Sequence, residues 1–276
     1  MRIGALRTSI LLGVIIATAH ATAIAAENGA SKNKKPTAAP PVVSREETGS
    51  VSAGIADKLA FVRSEGESYD LWLWADGEQP RKIANNIGDG RFLIAGKPAA
   101  LIIQVPVDES GPYRRFGLAL KRIAPAGKDA PDIEYIDRPG KGLSDFNPVV
   151  SPDGSTLIFS RVRIDHYGTE EYDAGLWQCR LKAGPKKVER FWESPQRGLG
   201  VLHVPTVFSP DGRFLAVQRV PVAAGDIGDT LVIDTATRKV TRTYIGARVE
   251  MWFDDNERLI ASRIDPATGR RIIYVV

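Results

Sequence analysis

Beyond about residue 50 the chain is a succession of short apolar runs with period-two alternation, broken by Gly, Pro, Asp and Asn. Two stretches carry nearly the same pattern: Phe146–Arg161 reads FNPVVSPDGSTLIFSR, and Val204–Arg219 reads VPTVFSPDGRFLAVQR. Each predicts a short apolar strand, a Ser-Pro-Asp-Gly turn and a second strand. Leu157 and Phe159 fall on one face of the second strand in the first copy, Phe214 and Ala216 in the other. Such alternation suits strands packed between neighbouring sheets. Pro152 and Pro210 pre-set φ for the second position of a type I turn, Asp is tolerated at the third, and Gly fits the fourth. The copies lie 58 residues apart, Ser151 to Ser209. A repeat of this kind sets the architecture.

Weaker copies extend the register. Asp254-Asp255-Asn256-Glu257 before RLIAS lies 45 residues after Ser209, Ala95-Gly96-Lys97-Pro98 before AALIIQ lies 56 before Ser151, and Gly54-Ile55-Ala56-Asp57 before KLAFVR lies 41 before Ala95. A third strand is expected in each unit: Tyr69–Trp74, Phe116–Lys121, Gly175–Leu181, Thr230–Asp234 and Arg271–Val276. A fourth follows in four units, as PRKIA, DIEYI, KKVERFW and KVTRTY. Four antiparallel strands per unit is the signature of a propeller blade. The expectation is an all-β fold, a β-propeller of five four-stranded blades. The fifth unit stops at its third strand, and a ring needs its edges closed. Pro41–Glu46 (PVVSRE) is placed to supply the missing outer strand.

The FNPVVSPDG and VPTVFSPDG segments resemble the repeat of TolB-type propellers, the WD-repeat-like blades of bacterial envelope proteins. The strong match covers two blades, and the inferred match runs from about residue 50 to the end. The resemblance implies the fold more than a function. TolB itself carries an α/β domain ahead of its propeller, and the residues before the first blade leave no room for one. Docking to a peptidoglycan-associated lipoprotein is therefore not carried over.

The first residues, MRIGALRTS, are followed by the apolar run ILLGVIIATA and then small residues with Ala-x-Ala at Ala23-Ile24-Ala25. That order predicts a cleaved secretory signal over residues 1–25 and a periplasmic or secreted protein. The run is too short to span a bilayer, so no stable membrane insertion is expected after cleavage. Residues 26–50, rich in Lys, Pro, Ala and Ser, have the composition of a linker. Residues 51–276 form one domain, expected to be a monomer. The chain holds 37 Lys and Arg against 33 Asp and Glu; without Arg2 and Arg7 of the signal, 35 face 33. So near-balanced a charge gives no reason to expect nucleic acid as a partner. The single Cys179 cannot form an internal disulfide and reads as a buried thiol.

In a four-stranded blade the loops between second and third strands share a face with the loops that join blades, whereas the Ser-Pro-Asp-Gly turns lie opposite. Asp153 and Asp211 are therefore turn residues, bonded to nearby backbone amides. The second-to-third loops are long only in the middle three blades: Pro106–Arg115, Arg163–Ala174 and Pro221–Asp229. With the connections Arg138–Asn147 and Ser194–His203 they place on one face Tyr113, Arg114, Arg115, Asp145, Asp165, His166, Tyr167, Glu170, Glu171, Tyr172, Arg197, His203 and Asp226. Loops carry function more often than scaffold does, and aromatic and Arg side chains anchor interfaces. Tyr167 and Tyr172 flank two glutamates and could form an anchor patch.

Beyond the signal only His166 and His203 remain, which excludes a three-His zinc site. Asp165 and His166 are adjacent, so their side chains diverge; His166 reads as a solvated loop residue, and His203 as a structural residue beside the axial channel. Glu170, Glu171 and Asp173 lack the loop pattern of a calcium site. No P-loop, G-x-G-x-x-G or nucleophile elbow is present, and no cofactor, metal or catalytic residue is assigned. The five tryptophans read as packing between blades. The leading expectation is a non-enzymatic module that binds an envelope protein or cell-wall component through the loop face of blades two to four. The alternative is a propeller enzyme or carbohydrate-binding module, of lyase or hydrolase type, using the axial funnel on that face.

Overall fold

The computed structural model describes residues 58–65, 68–75, 78–87, 92–95, 100–108, 115–122, 133–167, 169–181, 186–194, 201–221, 228–265 and 267–276. The described strands form five antiparallel sheets in chain order. The first contains β1 (Lys58–Glu65), β2 (Ser68–Ala75) and β3 (Arg81–Ala84). The second contains β4 (Phe92–Ala95), β5 (Ala100–Asp108), β6 (Arg115–Arg122) and β7 (Glu134–Asp137). The third contains β8 (Leu143–Val150), β9 (Thr156–Arg163), β10 (Asp173–Arg180) and β11 (Val188–Trp192). The fourth contains β12 (Val201–Phe208), β13 (Phe214–Pro221), β14 (Asp229–Asp234) and β15 (Lys239–Tyr244). The fifth contains β16 (Arg248–Trp252), β17 (Leu259–Ile264) and β18 (Arg271–Val275). Within every sheet each strand pairs with its neighbour in sequence. That meander is the topology the repeat implies. The inner strand expected for blade one and the closing strand Pro41–Glu46 fall outside the described residues.

The turns behave as their chemistry demands. Gly154 N donates to Ser151 O and Gly212 N to Ser209 O, both at 2.8 Å, with φ of 68° and 73° at the two glycines. Asp153 Oδ1 accepts from Ser155 N at 3.0 Å, and Asp211 Oδ1 from Arg213 N at 3.0 Å. Both carboxylates are thereby occupied within their own turns. Consecutive turns also touch: Asp211 N donates to Asn256 Oδ1 at 2.8 Å.

The core lies between sheets rather than inside any one of them. Leu71, Leu73, Leu101 and Ile103 join sheets one and two; Ile102, Leu118, Leu157 and Phe159 join two and three. Ile158, Leu176, Leu215 and Val217 join three and four; Ala216, Val232 and Leu259 join four and five. Each of the Leu, Ile, Val and Phe side chains among them contributes roughly 1.5–3 kcal/mol when fully buried. Trp177, Trp192 and Trp252 lie in or against these seams, as expected, and Cys179 is buried. Burial raises the Cys179 thiol above its ordinary range, which suits an inert group.

A polar stitch recurs along the seams. Gln104 Nε2 donates to Asp145 O at 2.7 Å, Ser160 Oγ to His203 O at 2.7 Å, and Gln218 Nε2 to Ala247 O at 3.4 Å. The three donors sit on the second strand of one blade, and the three carbonyls on the inner strand of the next or at its start. Backbone carbonyls that face a seam would otherwise be buried without a donor. A cation–aromatic stack recurs as well. Trp72 lies beside Phe61 and beneath Arg63 and Lys82; Trp177 lies across from Phe159 and beneath Arg161 and Arg190.

Candidate functional site

The described part of the loop face lies mainly on blade three. Its loop leaves β9 through a single 3-10 turn, Ile164–His166. Ile164 N donates to Gly142 O at 2.9 Å, which ties this loop to the connection from blade two. Gly142 has φ +74°, a backbone conformation that favours glycine, and it packs beside the Asp165 carboxylate. Arg163 N donates to Tyr172 O, Thr169 N to His166 O and Tyr172 N to Thr169 O, at 2.8, 3.0 and 3.3 Å. The loop is thus bonded to itself. Tyr167 and Tyr172 meet edge to face with centroids 5.2 Å apart; Tyr167 is 59% exposed, and Tyr172 is half-buried. Burial, with Tyr167 and Asp173 nearby, raises the Tyr172 phenol.

Below the loops, each side of blade three holds a buried charged cluster. At the seam with blade two, Arg161 Nε donates to Asp145 Oδ1 at 2.7 Å and Arg161 Nη2 to Asp145 Oδ2 at 2.9 Å. Arg161 Nη2 also bonds Asp137, the last residue of β7. Asp145 is fully buried and Arg161 only 6% exposed, with the guanidinium stacked 4.3 Å from the Trp177 centroid. Desolvation pushes the Asp145 carboxyl up to about 7, against the opposing pull of Arg161. Two carboxyl groups therefore share one guanidinium in a water-poor seam.

At the seam with blade four, His203 Nδ1 bonds Asp173 Oδ2 at 2.5 Å, and Trp192 packs edge-on against the imidazole. His203 is 2% exposed, and its Nε2 is buried with no hydrogen-bond partner among the described residues. With Nδ1 engaged by a carboxylate, Nε2 is the ring nitrogen left for a further partner. Asp145 and His203 are equivalent positions, each six residues before the turn serine, Ser151 or Ser209. Arg161 and Arg219 are equivalent too, each opposite its partner in the strand register. Arg219 bonds Asp229.

The structure distributes the sequence-derived residues among three settings. Asp165, His166, Tyr167, Glu170, Glu171 and Tyr172 lie together on the blade-three loop, and His166 Nδ1 is 3.3 Å from Glu171 Oε2. Arg115 opens β6, and its Nη1 donates to Gly140 O at 2.9 Å, which pins the connection to blade three. Asp145 and His203 lie within β8 and β12 and are buried, whereas the sequence reading puts them on connecting loops. The reason is that both inner strands begin earlier than the apolar run suggests, at Leu143 and Val201. Tyr113, Arg114, Arg197 and Asp226 fall outside the described residues. No cluster of three or more metal-ligating side chains occurs among the described residues.

Asp137, Arg161 and Trp192 are absent from the sequence-derived site, and Asp173 enters the sequence reading only beside Glu170 and Glu171, as a calcium-ligand candidate without the EF-hand loop pattern. One signal points to Arg161. Period-two alternation puts it on the same face as Leu157 and Phe159, and a charge on a buried face needs a buried partner.

No family model matches the chain, and no curated protein does. Solved structures do match. Oligogalacturonate lyase from Vibrio parahaemolyticus is 12% identical over 80% of this chain and 60% of its own, with a TM-score of 0.54. Kuenenia stuttgartiensis hydrazine synthase is 9% identical over 80% and 68%, with a TM-score of 0.52. Puromycin hydrolase is 17% identical over 83% and 39%, with a TM-score of 0.52. The chain thus spans 60% or less of the lyase and the hydrolase. At these identities the likeness is one of fold, and with five meandering antiparallel sheets it establishes the chain as a β-propeller.

Proposed function

We propose that this protein is a propeller enzyme or carbohydrate-binding module whose ligand site lies on the loop face of blades two to four. The observation that carries the reading is the buried Asp173–His203 pair with Nε2 unpartnered among the described residues, one blade from Asp145, Arg161 and Asp137. Perturbed and paired titratable groups gather at sites of chemistry more than on docking surfaces. A hydroxyl-rich ligand suits them: Nε2 accepts from a hydroxyl or takes its proton, and the Tyr167 ring offers a face for stacking. The leading sequence-based expectation, a non-enzymatic scaffold, keeps one supporting observation, the exposed Tyr167 beside Tyr172. TolB-type membership and export to the periplasm, read from the turns and the leader, complete the proposal.

The test is a screen of neutral and acidic oligosaccharides by calorimetry and by product analysis, with His203→Gln and Asp173→Asn alongside the wild type. One saccharide class is expected to bind or be cleaved, with turnover falling about 100-fold in His203→Gln if the imidazole carries the proton. Absence of heat and product across the screen, together with an envelope protein captured by a photocrosslinker at Tyr167, would return the protein to the scaffold reading.

A further inference from the structure

Five sheets make four seams among the described residues: apolar cores join one to two, two to three, three to four and four to five, and none joins five to one. On the side of each blade that meets the next, the third-strand residues opposite Gln104, Ser160 and Gln218 are Leu118, Leu176 and Thr230, all fully buried. In blade five this place belongs to Ile273, opposite Ser262, and it is 67% exposed. Val275 is 55% exposed, where its equivalent in blade four, Val232, is fully buried. Ile264 and Met251 lie on the same side of sheet five and are exposed as well. Fraying does not account for this, because Leu259 N donates to Val276 O and Val276 N to Leu259 O, each at 2.9 Å, which holds β18 in register. Nor is it an ordinary solvated surface: the exposed strand β15 presents mainly Lys, Thr and Arg, whereas β18 presents aliphatic side chains.

Blade one carries the converse face. On the side by which each later blade meets the one before it, Ile103, Phe159 and Val217 are fully buried. Phe61 holds this place in blade one and is only half-buried, stacked on Trp72 with centroids 6.5 Å apart. Trp74 shares that side and is 38% exposed, where its equivalents Cys179 and Ile233 are fully buried. Among the described residues, then, blade five has no following blade against it and blade one no preceding one. Both uncovered faces are apolar.

We propose that these two half-seams meet between molecules, blade five of one copy packing on blade one of a second copy, in place of the monomer expected from the sequence. The register argues for a second copy over an unrelated partner. All four internal seams pair the same two sets of positions, and blade one carries the matching receiving face that stays uncovered among the described residues. The polar stitch stops at the same point. Gln104, Ser160 and Gln218 donate to the following blade, whereas Ser262 Oγ, their equivalent in blade five, donates to Glu250 Oε1 of its own blade at 2.6 Å. Contiguous exposed apolar surface marks sites of association, and Trp, Phe and Met are side chains that interfaces concentrate. The contact is head-to-tail, each copy offering a different face. Such a contact repeats until the rotation closes, which two copies achieve in the smallest case.

The molar mass of the full chain, measured by light scattering over a dilution series, tests this without any ligand. The wild type is expected at an integer multiple of the chain mass at micromolar concentration, dissociating on dilution. Ile273→Glu and Trp74→Glu each place a charge in one half-seam, and each alone should associate about 30-fold more weakly or worse. Mixing the two variants separates a head-to-tail contact from any other. Blade five of the Trp74→Glu chain and blade one of the Ile273→Glu chain are both intact, so the mixture should form a pair with one seam and nothing larger. Both positions are exposed, so the fold should survive, which circular dichroism checks. Should either glutamate variant fail to fold, Ile273→Asn and Trp74→Gln repeat the test with neutral side chains. A wild type of single-chain mass at every concentration would overturn the proposal, as would self-association kept by either variant alone or a mixture that does not pair.

Discussion

Blades three and four share a turn, a core register and an inner-strand position, and they part at that position. Blade three has Asp145 opposite Arg161, and blade four has His203 opposite Arg219. In blade three the arginine turns inward to its own aspartate and to Asp137 of the neighbouring blade. In blade four the arginine takes Asp229, nearer the surface, and the histidine is left to Asp173 of blade three. One backbone repeat thus produces two different buried polar seams, and blade three contributes to both. The repeated half of each blade, the turn and the second strand, holds the ring together. The half that varies, at the loop end, gathers the titratable groups.

The sharpest way to break this comparison is to remove the two equivalent arginines. Arg161→Met leaves Asp145 and Asp137 in a buried seam without their cation, and should cost about 3–5 kcal/mol in urea unfolding. Arg219→Met acts on a pair whose arginine side chain is 35% exposed, and should cost about 0–1 kcal/mol. Equal losses would mean that the two seams do the same structural work and that blade three is not special.

Next in size is the pH dependence at Asp145. Its carboxyl is raised from 3.8 to about 7 by burial, so between those values the folded chain holds a proton that the unfolded chain has released. Stability from this site is therefore greatest in acid and declines as pH rises through the window. Asp145→Asn removes the titration, so the stability difference between wild type and variant should move against the wild type by at most about 1.4 kcal/mol per pH unit. A difference that stays flat from pH 4 to pH 7, or widens in favour of the wild type, would show the carboxylate ionised throughout.

Much of the fold is legible because its signal is local. Ser151-Pro152-Asp153-Gly154 and Ser209-Pro210-Asp211-Gly212 announce turns whose geometry depends on those four residues alone. Strands β2, β6, β10, β14 and β18 follow at the places that alternation indicates. The site is less legible because its bonds join distant elements. Arg161 and Asp137 are 24 residues apart, and Asp173 and His203 are 30 apart across a blade boundary. Period and spacing say which face a side chain takes, not which neighbour waits there. Even so, Arg161 on the Phe159 face was a readable anomaly. The equivalence of Asp145 and His203 can also be read straight from the two repeats. The surface cluster of Tyr167, Glu171 and Tyr172 was visible because it lies within one loop.

A smaller effect concerns the stitch. Ser160→Ala should cost about 1–3 kcal/mol, since it leaves the His203 carbonyl without its donor in a buried seam. Thermal unfolding of the variant beside Gln104→Ala, which loses the equivalent bond to Asp145 O, would show whether the two seams of blade three are stitched equally. A clear inequality would place the weaker seam where the ring opens first.

A small effect on stability is expected at Tyr167 as well, and it separates scaffold from site most cleanly. The ring is largely exposed, and its principal described contact is the edge-to-face pair with Tyr172, so Tyr167→Ala should change stability by only about 0.5–1.5 kcal/mol. The exposed ring face is the part free to meet a ligand. If the loop face binds, the same substitution should weaken binding far more than it weakens folding. Titrating a bound saccharide or captured protein against wild type and variant, at a pH where both are fully folded, measures the two effects separately. A variant that binds as tightly as the wild type would move the contact away from the blade-three loop, towards the inner seams where Asp145 and His203 lie.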